Sequence, residues 1–401
     1  MTASAAWGET GEGSAAGLRP SRSGALFSLI AAAALLAPFA TLSPNRIALG
    51  EGFALWRAVP PGVAAGGLAA LAAAFAAGAV AGFERLRLAA SLGGLAALAG
   101  LLALAARTLL AGAGEFARVS PGAGFWLLLL ALLLLMADAF SRMGLGPRGR
   151  LLALAGLTAA LGALLASGAL APLSVMQEYA ARAESFWGEA RRHAVLAVGS
   201  LALACAVGFP LGVLCHRRAG ARAAVLPALN LLQTIPSLAM FGVMIPTLSW
   251  VGANLPGARA LGVGGIGFAP AFLALFLYSL LPVVSNAVAG LAAVPGPVRE
   301  AARGMGMTGT QRLWRVELPL ALPVVVAAVR IVLVQNIGLA VIAGLIGGGG
   351  FGVFVFQGLN QTAADLILLG ALPTVLMAVV AGVLLDALVE IASARAGGPR
   401  P

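Results

Sequence analysis

The sequence predicts an all-α polytopic membrane protein of about ten transmembrane helices, and three observations predict it. Of its 401 residues, 61% are hydrophobic and only 10% are charged, against roughly 25% charged in an average soluble domain. The mean hydropathy is +1.00. The apolar residues also gather into runs of about 20, the length of helix that crosses hydrocarbon. These runs are too continuous for the roughly ten-residue alternating segments of an outer-membrane barrel, and 54 glycines and 22 prolines are at home in membrane helices.

Apolar windows place the spans at 24–43, 62–83, 88–111, 122–141, 150–173, 193–215, 223–250, 268–291, 319–345 and 366–390. The first follows Arg19 and Arg22 and exceeds a signal-peptide apolar region in length, so it reads as a retained anchor. Spans two to five are rich in Ala, Leu and Gly, with Asp138 almost their only polar residue. A polar stretch at 176–193, MQEYAARAESFWGEARRH, holds three of the fourteen acidic residues and marks a boundary. Beyond it the spans are interrupted by Pro, Gln, Asn and Gly. The expected organisation is therefore an N-terminal membrane region of about five helices over 1–175, whose role the sequence does not reveal. A polar extracytoplasmic linker follows at 176–192, then a core at 193–391 and a cytoplasmic tail at 392–401.

All 25 basic residues are arginine, giving a formal charge of +11 with no lysine. Their scatter between apolar runs fits membrane topology and not a nucleic-acid surface. With the N-terminus inside, sixteen arginines fall in cytoplasmic segments, eight lie outside and Arg330 sits within a span, so both termini are expected in the cytoplasm. Trp56, Trp126, Trp187 and Trp250 then fall near outer span ends, as an aromatic belt would place them. Cys205 and Cys215 read as apolar thiols, and His193 and His216, at opposite ends of one span, cannot share a metal. Asp138 and Asp386 lie too close to span ends for a proton relay.

Residues 295–319, PGPVREAARGMGMTGTQRLWRVELP, form a long patterned loop on the arginine-rich side. Pro295 and Pro297 suit a helix start, Gly304 and Gly306 suit its end, and Thr308 with Gln311 fits a capping box. A second short helix is expected to run through Trp314 until Pro319 opens the next span. Small Ala301 and Ala302 beside Glu300 offer a surface that another protein can approach closely.

The spacing Glu300-Ala301-Ala302, then Gly306, Val316, Leu318 and Pro319 resembles the EAA loop of ABC importer permeases. Gln233-Thr234-Ile235-Pro236-Ser237 with Pro246, and IAGLIGGGGFG at 342–352, are similar to the osmoprotectant permeases for glycine betaine, choline and carnitine, in an extended form with an additional N-terminal membrane region. The likeness covers about 193–391, and the C-terminal five spans would form the ABC importer permease core. It implies a permease subunit of an ATP-driven importer for quaternary amines, whose loop docks on ABC ATPase subunits. It also implies an extracytoplasmic substrate-binding protein, a permease homodimer and residence among the lipids of a bacterial cytoplasmic (inner) membrane, crossed many times. A phosphate loop GxxxxGK[ST] needs a lysine that this chain lacks. The resemblance thus implies that the chain is not an enzyme, and that ATP and Mg are cofactors of the partner ATPase and not of this chain.

For the pathway, Pro236 and Pro246 remove backbone donors within one span, and Asn230, Gln233, Thr234 and Ser237 could satisfy the freed carbonyls or face a channel for a polar solute. A packed proline kink fits the same residues. Arg330, Gln335 and Asn336 lie within the ninth span. Arg330 at that depth requires a partner, Glu317, Asp365 or a carbonyl, or an aqueous face, where its charge would repel choline more than betaine. Other readings stay open: an ABC permease for another small solute such as an amino acid, a non-transporting permease-like scaffold or sensor, and a gradient-driven secondary transporter.

Overall fold

The computed structural model describes residues 21–46, 48–80, 83–260 and 262–395. Arg19, expected to flank the first span, and most of the tail at 392–401 lie outside them. The fold is helical, and among the described residues nine helices are long and apolar enough to cross a membrane.

By contacts the chain forms two units. The first runs to Gly144, apart from Asn45–Ala48. It contains α1 (Arg22–Ala34), strands β1 (Ala40–Ser43) and β2 (Glu51–Phe53), α2 (Leu55–Ala58), α3 (Pro61–Ala79), α4 (Glu84–Leu110), β3 (Arg118–Pro121) and α5 (Ala123–Met143). The first expected span is a departure: α1 is 13 residues long, and Ala40–Ser43 is extended. Pro38 cannot continue a helix, and the chain after it pairs antiparallel with both β2 and β3, in the order β2-β1-β3. Leu98, Leu102, Leu128, Leu132 and Leu135 of α4 and α5 make the core. Arg87, 2% exposed, pairs there with Asp138 and donates to the Val80 carbonyl at 3.1 Å. Arg142 Nε reaches the same carboxylate at 2.9 Å, so Asp138 is held by two cations, as burial of a charge requires.

The second unit contains α6 (Pro147–Ala166), α7 (Ser174–Ala181), α8 (Ala183–Ala194), a π turn (Val195–Gly199), α9 (Ser200–Arg217), α10 (Ala219–Thr234) and α11 (Ser237–Asn254). It continues through α12 (Phe268–Ala292), α13 (Gly296–Gly304), α14 (Gly309–Arg312), a second π turn (Leu313–Glu317), α15 (Leu318–Leu339), a 3-10 turn (Ile342–Ile346), α16 (Gly352–Asn360) and α17 (Ala364–Arg395). Helix starts follow residue chemistry: Pro147 sits in the first turn of α6, and Gly144, at φ 57°, closes α5.

Three boundaries differ from the sequence reading. The polar stretch at 176–192 is itself helical, and α8, the π turn and α9 run on as one helix, Ala183–Arg217. The expected seventh span is two helices, broken at Ile235 and Pro236. The loop's second helix does not stop at Pro319, because α14, the π turn and α15 form one helix, Gly309–Leu339. Pro319 lies inside this helix, directly after the π turn, where the ladder already departs from regular α-helical bonding. α12 lies at the centre of the unit, with Leu275, Val283 and Val284 packed against α9, α10 and α11.

Candidate functional site

The loop at 295–319 is built as one short helix, α13, joined by a glycine turn to the start of the long helix Gly309–Leu339. Pro295 N-caps α13, which ends at Gly304, and the chain turns at Gly306, whose φ of 74° suits a residue without a side chain. Thr308 restarts the helix through a complete capping box: Gln311 N donates to Thr308 Oγ1 at 3.3 Å, and Thr308 N donates to Gln311 Oε1 at 2.9 Å.

Ala302 and Leu313 face inward, with Leu313 packed on Leu291 and Ala321. Glu300 and Ala301 are exposed, beside Met305 at 69% and Trp314 at 64%. Val316 and Leu318 are half-buried and Pro319 is exposed. The matched positions therefore divide into an exposed face and an inward face that anchors the loop. The anchor includes Arg217 Nη2, which donates to the Gly309 carbonyl at 2.9 Å, and Arg312 Nε, which donates to the buried Glu317 carboxylate at 2.7 Å. Glu317 is thus engaged by Arg312, and Arg330 pairs with Asp386 of α17 instead of the partners expected for it. Helical side chains tilt toward the N-terminus, which takes the Arg330 guanidinium down α15 to an acid near the far end of α17. Its charge is matched, and the expected bias against a cationic solute loses its basis.

The second feature is the break between α10 and α11. Pro236 has no N–H, so the carbonyl of Leu232 loses its helical donor, and Pro282 in α12 does the same to the carbonyl of Tyr278. The two sites face each other: Gln233 closes the defect in α12, and Tyr278 binds a carbonyl within the break. Gln233 Nε2 donates to the Tyr278 carbonyl at 2.7 Å, and the Tyr278 hydroxyl donates to the Ile235 carbonyl at 2.6 Å. Tyr278 is ten residues into α12, about 15 Å along it, so this latch lies near mid-span. Asn230 and Thr234 are exposed on α10, with the Thr234 hydroxyl turned back to the Leu231 carbonyl at 2.7 Å. Pro236 is exposed and Ser237 half-buried.

The other polar residues expected at the pathway separate. Gln335 is exposed. Asn336 is 0% exposed and joins three helices: its Nδ2 donates to Ser200 Oγ at 3.1 Å and to Ser279 Oγ at 2.8 Å. Arg330 and Asn336 are therefore not brought to Gln233. Tyr278, Ser200 and Ser279 are the participants that sequence reasoning missed. A lone hydroxyl in an apolar run carries no periodic signal, although Pro282 four residues after Tyr278 does mark a carbonyl in need of a donor.

Residues 208–397 match the family described as "Binding-protein-dependent transport system inner membrane component". Residues 21–176 match "ABC transporter permease YehY, N-terminal domain". Over 189 residues the chain is 43% identical to the osmoprotectant import permease protein OsmW of Salmonella typhimurium, covering 47% of this chain and 83% of that protein. It is 36% identical over 188 residues to the glycine betaine/carnitine/choline transport system permease protein OpuCB of Bacillus subtilis, covering 47% and 79%. The same identity relates it to the choline transport system permease protein OpuBB of that organism, again over 47% and 79%. Among solved structures, an inward-facing form of the MetNI methionine ABC transporter is similar with 23% identity and a TM-score of 0.45, over 50% of this chain and 93% of that one.

Proposed function

Since the chain belongs to the binding-protein-dependent inner-membrane permeases, among the osmoprotectant ABC importers, we propose that it carries small quaternary amines such as glycine betaine or choline across the cytoplasmic membrane, driven by a separate ATPase. The observation that carries the reading is the loop: an exposed Glu300-Ala301 face on α13, joined through a left-handed Gly306 to the helix Gly309–Leu339 that contains α15. ATPase closure pushes this loop, α15 transmits the displacement, and access to the pathway near the α10–α11 break alternates.

The Gln233–Tyr278 latch supports a pathway there, because it bridges a break in the span and pairs the Tyr278 and Ile235 carbonyls at mid-membrane depth. Asn230, Thr234, Pro236 and Ser237 line the pathway, and Arg330, Gln335 and Asn336 support it through α15. ATP and Mg are bound by two ATPase subunits, a receptor outside delivers the solute, and two copies of this chain form the membrane unit in lipid with both termini inside. The region 1–175 is an accessory membrane block, 176–192 lies outside, and 193–391 is the transport core.

The test is purification of the tagged protein in mild detergent from its native cells, with mass spectrometry of what copurifies, beside a Glu300→Arg variant. An ATPase bound to the wild type and lost from the variant, together with a secreted receptor, supports the importer. An ATPase retained in full by the variant removes the loop from the docking surface.

A further inference from the structure

The polar helix α8 is built into the core through residues that the transport reading above does not use. Glu189 and His193, four residues and one turn apart, both accept from the glycine-rich loop: Gly350 N donates to Glu189 Oε2 at 2.5 Å, and Phe351 N donates to His193 Nδ1 at 3.3 Å. A backbone N–H can only donate, so Nδ1 is the acceptor and the imidazole proton sits on Nε2. That Nε2 donates to the carbonyl of Ile337 in α15 at 3.0 Å. His193 is 0% exposed, and Phe186 of α8 packs on Phe351 at a centroid distance of 5.3 Å. The seat requires glycine. Gly350 has φ 82°, and a Cβ there would stand 3.0 Å from His193 Nδ1.

A π turn begins two residues after His193, at Val195, and shifts the helical ladder from its regular bonding there. Asn336 Nδ2 lies 3.5 Å from the Ala197 carbonyl of this turn, in addition to its bond with Ser200. Adjacent residues of α15, 336 and 337, thus both grip the α8–α9 junction. The helix they belong to runs Gly309–Leu339, 31 residues or about 46 Å, and its opposite end carries the loop.

We propose that His193 is a positioning residue for coupling, which ties α8 to the outer end of α15 so that a load placed on α8 by the receptor is felt at the loop. The inference rests on the importer reading and names the element by which the outside of the protein addresses its ATPase. Its signature is separability of the two bonds. Asparagine places an oxygen near the Nδ1 position and keeps the bond from Phe351, whereas glutamine places an amide nitrogen near Nε2 and keeps the bond to Ile337.

The experiment uses the full complex of permease, ATPase and receptor in lipid nanodiscs, and reads the ratio of receptor-stimulated to receptor-free ATP hydrolysis, with receptor binding measured alongside. His193→Gln is expected to keep the stimulation within about twofold, and His193→Asn to lose about fivefold or more, as loss of one buried hydrogen bond allows. Glu189→Ala, which frees the glycine loop without touching Ile337, is expected to keep it. Equal losses in the Asn and Gln variants, wild-type stimulation in the Asn variant, or a loss in Glu189→Ala as large as that in the Asn variant would each overturn the proposal. A wild-type complex that binds no ATPase, or that the receptor does not stimulate, overturns the importer reading and this inference with it.

Discussion

The Gln233–Tyr278 latch shows how two side chains help make a broken helix tolerable within a membrane. Gln233 supplies the donor that Pro282 takes from the Tyr278 carbonyl, and the Tyr278 hydroxyl supplies one to the Ile235 carbonyl at the break, so loss of either side chain leaves a carbonyl without that donor at a cost of about 1–3 kcal/mol. Gln233→Leu and Tyr278→Phe are therefore expected to lower the thermal midpoint of the purified permease and its transport rate. The double variant should lose less than the sum of the single losses, since the two bonds close one junction. Additive losses in a melting series would show that the bonds act independently. The Arg330–Asp386 pair behaves differently. Asp386→Ala strands a guanidinium within the span, while Arg330→Met with Asp386→Leu removes both charges, so the double change is expected to be more stable than the single one. A melting comparison that ranks them the other way contradicts the pairing. At this scale the sequence was legible where the signal is local: the capping box at Thr308 and Gln311 is as read. The partner of Arg330 was not legible, because Asp386 is 56 positions away and only the packing of α15 on α17 brings it near.

Among the elements, the loop is the one whose conformation carries a specific requirement. Gly306 turns the chain at φ 74°, where a side chain costs about 1–2 kcal/mol. Gly306→Val is expected to insert and accumulate as wild type while uptake falls by roughly tenfold or more, because the turn sets the angle of α13. Normal uptake by this variant would mean that the loop's angle does not matter. The helical spans themselves were legible as apolar runs, but their ends were set by features that hydropathy does not weigh. Pro38 and the pairing of β1 with two strands shorten α1, and Pro236 divides the seventh span. The π turn at Leu313–Glu317 was invisible for the same reason: hydropathy records which residues are apolar and not how the hydrogen-bond ladder shifts.

For the whole molecule, the relatives align to about half of the chain while covering 79–83% of their own length. A core able to transport is thus expected in the part they share. A chain beginning at Met176 should support osmoprotectant uptake when it reaches the membrane at wild-type level, and its failure to do so would assign the N-terminal helices a part in transport itself. The class and the loop could be read from composition and spacing because both are repeated or local signals. The grouping of α6 with the second unit could not, because that depends on the packing of one uniform apolar helix against α17. The central claim is that ATP drives solute through this chain by way of its loop. The most direct measurement is uptake of labelled glycine betaine into proteoliposomes holding the permease and its ATPase, with the receptor outside and ATP sealed within. The account predicts uptake that requires both ATP and receptor, persists when ion gradients are collapsed and is lost with Glu300→Arg. Uptake that proceeds without ATP, or stops when the gradients are collapsed, would contradict it.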